Sequence, residues 1–258
     1  GGPLGDAEVQ ERLAREAVAL GRKLDVDLLE LRSRRVVPGG LRVSGRKTAV
    51  VLPLPATPDL LWAAFSSKLR AQIRRPEKEG METRFGLDQM GAFYEVFRRH
   101  MRELGTPVLP RALFERVVCV FPHLVEFGVV YRGTTPVAAG AGFWWRNEFE
   151  ITWASDLEEH RRAAPNMLLY WAFLQRAIAR GARAFNFGRC TPGGGTHRFK
   201  RQWGGRDEPL PWAQWAPGAA LATPSPERPI FRLATAAWRR LPLAVANALG
   251  PLLARQLP

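Results

Sequence analysis

The side chains best suited to chemistry are gathered between Phe185 and Gly205. An apolar run ends at Gly188. Arg189, Cys190, Thr191 and Pro192 lead into the consecutive glycines Gly193, Gly194 and Gly195, and a short basic segment with Arg198, Lys200 and Arg201 follows. Glycines let a backbone come close to a ligand, and a helix N-terminus placed after them presents N–H groups to an anion. The spacing is not that of a Walker loop, which needs Gly-x-x-x-x-Gly-Lys-Ser/Thr. Taken alone, such a turn reads as a tight strand-to-helix connection. Arg189, His197 and Lys200 beside it make it a candidate anion site.

The elements that must position this segment follow from hydrophobic spacing. Asp6 to Leu24 reads as a helix stopping near Gly21, followed by short strands at 28–32 and 48–54 with a Pro38-Gly39-Gly40 turn between them. Pro53, Pro55 and Pro58 suggest a domain connection. A helix is predicted over 66–75, capped by Ser66 or Ser67 and stopped near Pro76. Amphipathic helices are predicted over 87–104 and 110–120. Strands at 124–131, 136–145 and 148–154 form an antiparallel meander, with turns at Arg132-Gly133 and Arg146-Asn147. Pro165 to Arg180 is the best helix, with Pro165 in its first turn and Gly181 as its stop. A strand at 184–187 comes next. This order is α+β and excludes a doubly wound parallel sheet. Pro224 to Pro229 reads as a linker, and Ile230 to Pro258 carries four arginines and no acidic residue.

The chain has 258 residues, 46% hydrophobic and 24% charged, which excludes wholesale disorder. Lys plus Arg is 38 against 24 for Asp plus Glu, a net charge of +14 that favours anionic partners. Cys119 and Cys190 cannot build a disulfide framework, and His100, His123 and His160 show no metal spacing, so no metal is expected. The start Gly1-Gly2-Pro3 has no signal-peptide pattern and no Met, as in a fragment or processed form. Leu241 to Ala254 is interrupted by Pro242, Gly250 and Pro251 and is too short to span a bilayer. A soluble, cytoplasmic protein is expected.

Phe187-Gly188-Arg189, then Gly195-Thr196, then Arg198-Phe199-Lys200-x-x-Trp203-Gly204 resembles the signature of FemAB-type transferases with a GNAT-like fold. The stretches Ser66 to Gly80 and Pro165 to Trp171 agree, and the tail Trp238-Arg239-Arg240-Leu241-Pro242 is similar to that of the subgroup associated with exosortase (PEP-CTERM) and exopolysaccharide gene clusters. The resemblance covers 66–215 well. It implies two tandem GNAT-like lobes: a complete one at 58–216, the latter part of a first lobe at 1–57, and a linker with a basic amphipathic tail at 217–258. On that reading an N-terminal piece that would complete the first lobe is a missing partner.

Members of the wider family transfer an amino acid from aminoacyl-tRNA to an amine of a cell-wall precursor, and related GNAT enzymes move an acyl group from coenzyme A. Both pass through an oxyanionic tetrahedral transition state, where a fixed cation accelerates reaction. The resemblance gives that role to Lys200 after Phe199. Lys200 is the one lysine in the C-terminal two-thirds of the sequence, and a compact ammonium suits a single developing oxyanion. His197 is the candidate general base, since an attacking amine must lose a proton. Arg189, Arg74 and Arg75 are candidates to grip phosphate or carboxylate on an anionic or glycan-linked acceptor. Gly194, Gly195, Thr196 and Phe199 complete the substrate set, with Asn166 and Tyr170 at the start of the helix at 165. No firm cofactor is implied, and the donor is aminoacyl-tRNA or acyl-CoA. The place of the coenzyme A loop is Arg161-Arg162-Ala163-Ala164-Pro165-Asn166, where Ala replaces the first Gly and Pro165 removes a donor. Two other readings stay open: a non-enzymatic nucleic-acid-binding module resting on charge, and contact of the tail with the inner face of an anionic membrane through Trp238, Leu241, Leu249 and Leu252.

Overall fold

The computed structural model describes residues 1–218 and 229–255. In chain order its first elements are α1 (Ala7–Lys23), β1 (Leu29–Leu31), β2 (Arg42–Pro53), α2 (Pro58–Ala64), α3 (Ser67–Lys78), β3 (Met81–Phe85), α4 (Met90–Leu104) and α5 (Arg111–Val120). Then come β4 (Val125–Arg132), β5 (Thr135–Trp145), β6 (Glu148–Asp156), α6 (Pro165–Ala179), β7 (Ala184–Cys190), α7 (Gly195–Arg201), β8 (Arg206–Trp215), α8 (Pro229–Arg240) and α9 (Leu243–Ala254). The expected α+β order is the order observed. Two compact units result, one from residues 1–51 and 188–218 and one from 52–187 and 229–255.

In the first unit β8 pairs antiparallel with both β1 and β2. Ala213 faces Leu31 on one side and Val43 on the other. α1 begins at Asp6, whose carboxylate accepts the Val9 N–H at 2.9 Å, and carries Arg22 and Lys23 in its last turn, both favoured by the helix dipole. Its Ala14 packs with Val37 and Ala213. β8 was not legible in the sequence, because Arg206-Asp207-Glu208 opens it and Pro209 and Pro211 interrupt it. Pairing with β1 covers Ala213–Trp215, past both prolines, as a strand containing proline requires.

In the second unit the strand order is β7-β6-β5-β4-β3. The pairs are antiparallel except β6 and β7, which run parallel from Glu148↔Ala184 to Glu150↔Asn186. Parallel neighbours need a crossover, and α6 supplies it. α4 and α5 cover one face of this sheet with Phe93, Phe97 and Phe114 against Phe127 and Trp153. α6 covers the other. It is apolar nearly all round, because α2 and α3 pack on its far side, where Trp171 meets Trp62 at 5.1 Å and Phe65 at 5.7 Å.

The depth of α6 on the sheet is set by a glycine pair. Gly128 on β4 and Gly140 on β5 are register partners, and a Cβ on either would stand 2.8 and 3.0 Å from the Phe173 ring. Phe173 fills that space, edge-on to Phe85 and stacked on Phe149 at 5.2 Å. Glu126 on the same face is 4% exposed and is held by Arg176, by Arg180 at 3.6 Å and by the Trp144 indole N–H at 3.1 Å. It is a paired structural carboxylate.

Several boundaries differ from expectation. Pro58 opens α2 behind a Thr57 cap instead of marking a bare connection. Pro76 lies inside α3, which runs on to Lys78 before the Glu79 N–H closes on the Arg75 and Pro76 carbonyls. A proline two residues from the end removes little of the helical ladder. β3 was missed, and β7 continues through Gly188 to Cys190. Pro224 to Arg228 of the expected linker lies outside the described residues, and Pro229 already belongs to α8.

The glycine pair yields a quantitative expectation. Gly128→Ala lowers unfolding stability by about 1–3 kcal/mol, the usual cost of overpacking. The same change costs less in a background where both rings that crowd that Cβ, Phe85 at 2.6 Å and Phe173 at 2.8 Å, are replaced by Leu, read as a coupling energy in a denaturant mutant cycle.

Candidate functional site

The site residues expected from the sequence fall into two groups. Lys200, His197, Arg189, Phe199, Thr196, Gly194 and Gly195 belong to the first unit, and Asn166, Tyr170, Arg74 and Arg75 to the second.

In the first unit the last residues of β7 carry an unusual backbone angle. Gly188 has φ +73°, a left-handed conformation that favours glycine. Lys200 on α7 is only 6% exposed, and its ammonium donates to the Gly188 and Arg189 carbonyls, each at 2.9 Å. A buried cation needs such acceptors. The glycine turn is closed by the Gly194 N–H on the Thr191 carbonyl, at 3.3 Å, and by Lys47, which donates to the Thr191 hydroxyl at 2.7 Å. Gly194 caps α7, and Gly195 and Thr196 after it are exposed.

His197 has both ring nitrogens engaged. Nδ1 accepts the Gly193 N–H at 3.1 Å, so the ring proton sits on Nε2, which faces the Asp207 carboxylate at 2.8 Å. Phe199 is half-buried, with its ring edge-on to the buried Trp203. Cys190 is buried; desolvation pushes its thiol pKa up, against the pull of Lys200, so it stays a neutral thiol.

Arg189 is exposed, with its guanidinium 5.5 Å from the centre of the Trp212 ring; that of Arg32 lies 4.8 Å from the same ring. Beside them, burial raises the Glu30 pKa, but hydrogen bonds from Arg32 at 2.7 Å and Gln214 at 2.8 Å outweigh it and hold the carboxyl below its usual range. Lys47, Asp207 and Trp212 were missed by sequence reasoning. Asp207 stands ten residues from its histidine and Lys47 lies on another strand, so no local spacing announced them.

In the second unit the α6 start differs from an open anion loop. Residues Glu158–Ala163 form a 3₁₀ turn, Ala164 has φ +58°, and Pro165 opens the helix without an N–H. The Ala164 and Met167 N–H groups are spent on the Arg161 and Ala164 carbonyls, and Glu158 donates to the Glu103 carboxylate. The Asn166 side-chain oxygen is buried with no hydrogen-bond partner among the described residues. Tyr170 is buried and stacked on Phe187 at 5.7 Å. Burial, with the nearby Asp156 carboxylate, pushes its pKa up and keeps the hydroxyl protonated. Asp156 in turn receives Arg161 at 3.3 Å. Arg74 is exposed, its guanidinium 5.1 Å from the centre of the Trp62 ring, and Arg75 is an exposed partner of Glu79 at 3.7 Å. Among the described residues no cluster of three metal-ligating side chains occurs.

Residues 63–201 match the acetyltransferase (GNAT) domain family. No curated protein matches the chain. Among solved structures the chain is similar to FemX, at a TM-score of 0.61 and 11% identity over 89% of this chain and 80% of that one. It is similar to the C-terminal domain of a candidate lysylphosphatidylglycerol synthetase from Agrobacterium fabrum, at 0.63 and 15% over 83% and 75%. L-PGS from Bacillus licheniformis follows at 0.51 and 13% over 88% and 71%. These likenesses share the fold, which is GNAT-like as the sequence implied. The family pattern spans more than half of the sequence, and the chain therefore belongs to the GNAT family of acetyltransferases and is an acyltransferase.

Proposed function

We propose that the chain transfers an aminoacyl group to an amine of a cell-wall or exopolysaccharide precursor, within the exosortase-associated FemAB-like subgroup that its Phe187-Gly188-Arg189 and Arg198-Phe199-Lys200 motifs resemble. The observation that carries the reading is the buried Lys200 ammonium, fixed by two carbonyls at the end of β7. In the reaction the acceptor amine attacks the acyl carbonyl carbon, the C–N bond forms, and the ester C–O bond to the donor breaks. The amine proton ends on the leaving oxygen. Negative charge collects on the carbonyl oxygen in between. A cation held in place beforehand, in a poorly polarisable setting, stabilises that charge without reorganising.

Acyl-CoA is the donor of the GNAT family. In this chain the α6 start does not fit the coenzyme A pyrophosphate: the glycines are replaced, Pro165 lacks a donor, and the Ala164 and Met167 N–H groups are already bonded. The Asn166 oxygen, buried without a hydrogen-bond partner among the described residues, is an acceptor, which a pyrophosphate cannot use. The name of the Agrobacterium neighbour also refers to a lysyl-bearing product. Arg189 and the exposed turn at Gly194, Gly195 and Thr196 hold the anionic part of the acceptor, with Phe199 walling it. In the second unit Arg74 and Arg75 on α3 are candidate anion contacts of their own, Arg75 being shared with Glu79. We assign His197 to fastening the glycine turn, because both of its nitrogens are engaged.

Radiolabelled alanyl- or lysyl-tRNA and radiolabelled acetyl-CoA, each offered with a nucleotide-linked muramyl peptide bearing a free amine, test the donor. Label is expected in a new amide from aminoacyl-tRNA. Label from acetyl-CoA alone would move the assignment to a coenzyme A-dependent N-acetyltransferase, and transfer from neither overturns the reading. Lys200→Met lowers kcat by about 10²–10³-fold, with donor KM little changed and the circular dichroism spectrum retained. His197→Gln, whose amide can still accept from Gly193, keeps kcat within about tenfold and preserves the pH–rate profile, whereas a general base would cost about 10²–10⁴-fold.

A further inference from the structure

The tail helices bury one side, and α9 leaves a leucine-rich stripe exposed. α8 packs on α4: Arg102 donates to the Leu241 carbonyl at 3.0 Å, Arg239 to the Leu104 carbonyl at 3.4 Å, and Thr235 sits against Gly105. α9 seats Ala246 and Gly250, the latter so close that a Cβ would stand 2.8 Å from Val108. Trp238 and Leu241, named from the sequence as membrane anchors, are thereby half-buried. The neighbouring stripe of α9 is not covered: Val245 is 40%, Leu249 43%, Leu252 61% and Leu253 44% exposed. They recur at helical spacings of three and four, so they form one continuous strip. No helix among the described residues is long and apolar enough to cross a membrane.

The charges carried by the tail itself have one sign. Arg232, Arg239 and Arg240 on α8 are exposed, Arg255 follows α9, and the sequence from Pro229 to Pro258 contains no Asp or Glu. A second copy of the chain meeting this face about a two-fold axis would set arginines against arginines. Anionic phospholipid headgroups meet the arginines with opposite charge, while the leucines enter the boundary of the acyl region.

We propose that α8 and α9 dock the protein on an anionic bilayer surface, with the Val245–Leu249–Leu252–Leu253 strip in the headgroup–acyl boundary and the arginines on lipid phosphates. This surface rests on the tail alone and stands apart from the transfer chemistry.

Flotation of the full chain with vesicles, at about 0.1 M salt to limit long-range attraction, tests it. The chain floats with vesicles that are roughly one-third phosphatidylglycerol and stays behind with phosphatidylcholine alone. Arg239→Gln/Arg240→Gln weakens partition about twentyfold, as expected for two lost headgroup contacts. Leu249→Asp/Leu252→Asp, at exposed positions, weakens it at least about tenfold with the circular dichroism spectrum unchanged. Failure to float with anionic vesicles overturns the proposal, as does flotation that both double variants leave unaltered. A native dimer in sedimentation that the aspartate variant converts to monomer would give the strip to a second copy instead.

Discussion

A buried ammonium cannot be left without acceptors, and the end of β7 is built around that requirement. Lys200 reaches back from α7 to two consecutive carbonyls, and those carbonyls converge on it because Gly188 takes a left-handed conformation. Replacing Gly188 by a residue with a Cβ would strain this backbone and tilt the carbonyls away from the cation. The strand end, the glycines that follow and the short helix are thus one device. Cys190 is anchored by the Thr48 carbonyl and Thr191 by Lys47, so the strand end is tied from two sides. His197 ties the same turn from α7 through Gly193, and Asp207 at the start of β8 holds the histidine's tautomer. Such a framework fixes a cation better than a flexible surface lysine, whose rotamer freedom would dilute its effect.

The second unit solves a different problem, which is how to hold a helix start against a sheet. α6 is apolar nearly all round because it is sandwiched between strands and the α2–α3 pair. Aromatic rings lock it at both levels: Phe173 on the glycine floor of β4 and β5, and Tyr170 on Phe187 one turn earlier. With those rings seated, Asn166 and Ala164 have little freedom to rearrange. The 3₁₀ turn before them uses its own N–H groups, so the positive end of the helix dipole is delivered without a loose loop.

Long amphipathic or apolar segments were legible in the sequence for physical reasons. α4 announces itself through Phe93, Tyr94 and Phe97, α6 through Pro165 and Gly181, and the β4–β5–β6 meander through β-branched and aromatic runs between short turns. The β8 strand was hidden because its first three residues are charged and two prolines interrupt it, a pattern tolerated only since β1 pairs beyond them. In the site, Lys200 stood out because the chain otherwise uses arginine there, yet its hydrogen-bond partners are backbone carbonyls, which carry no sequence signal. The Lys47–Thr191 and His197–Asp207 contacts were illegible for the same kind of reason: they join separate elements, and only folding makes them neighbours.

The excess of positive charge reads differently once the arginines are placed. Arg22 lies against Trp215, Arg32 against Trp212, Arg74 against Trp62, Arg84 against Tyr131 and Arg180 against Trp144, with guanidinium-to-ring distances from 4.2 to 5.6 Å. A guanidinium is planar and weakly hydrated, so it can cover a ring while its edge still meets water, which a lysine ammonium does poorly. Arginine was therefore used in these places as a polar lid for aromatic side chains at the rim of the core. Stacking on a ring leaves the guanidinium charge in place, so these arginines serve packing and still add to the field that the whole chain presents. Arg189 over Trp212 and Arg74 over Trp62 thus cover rings and still present a charged edge to an anion.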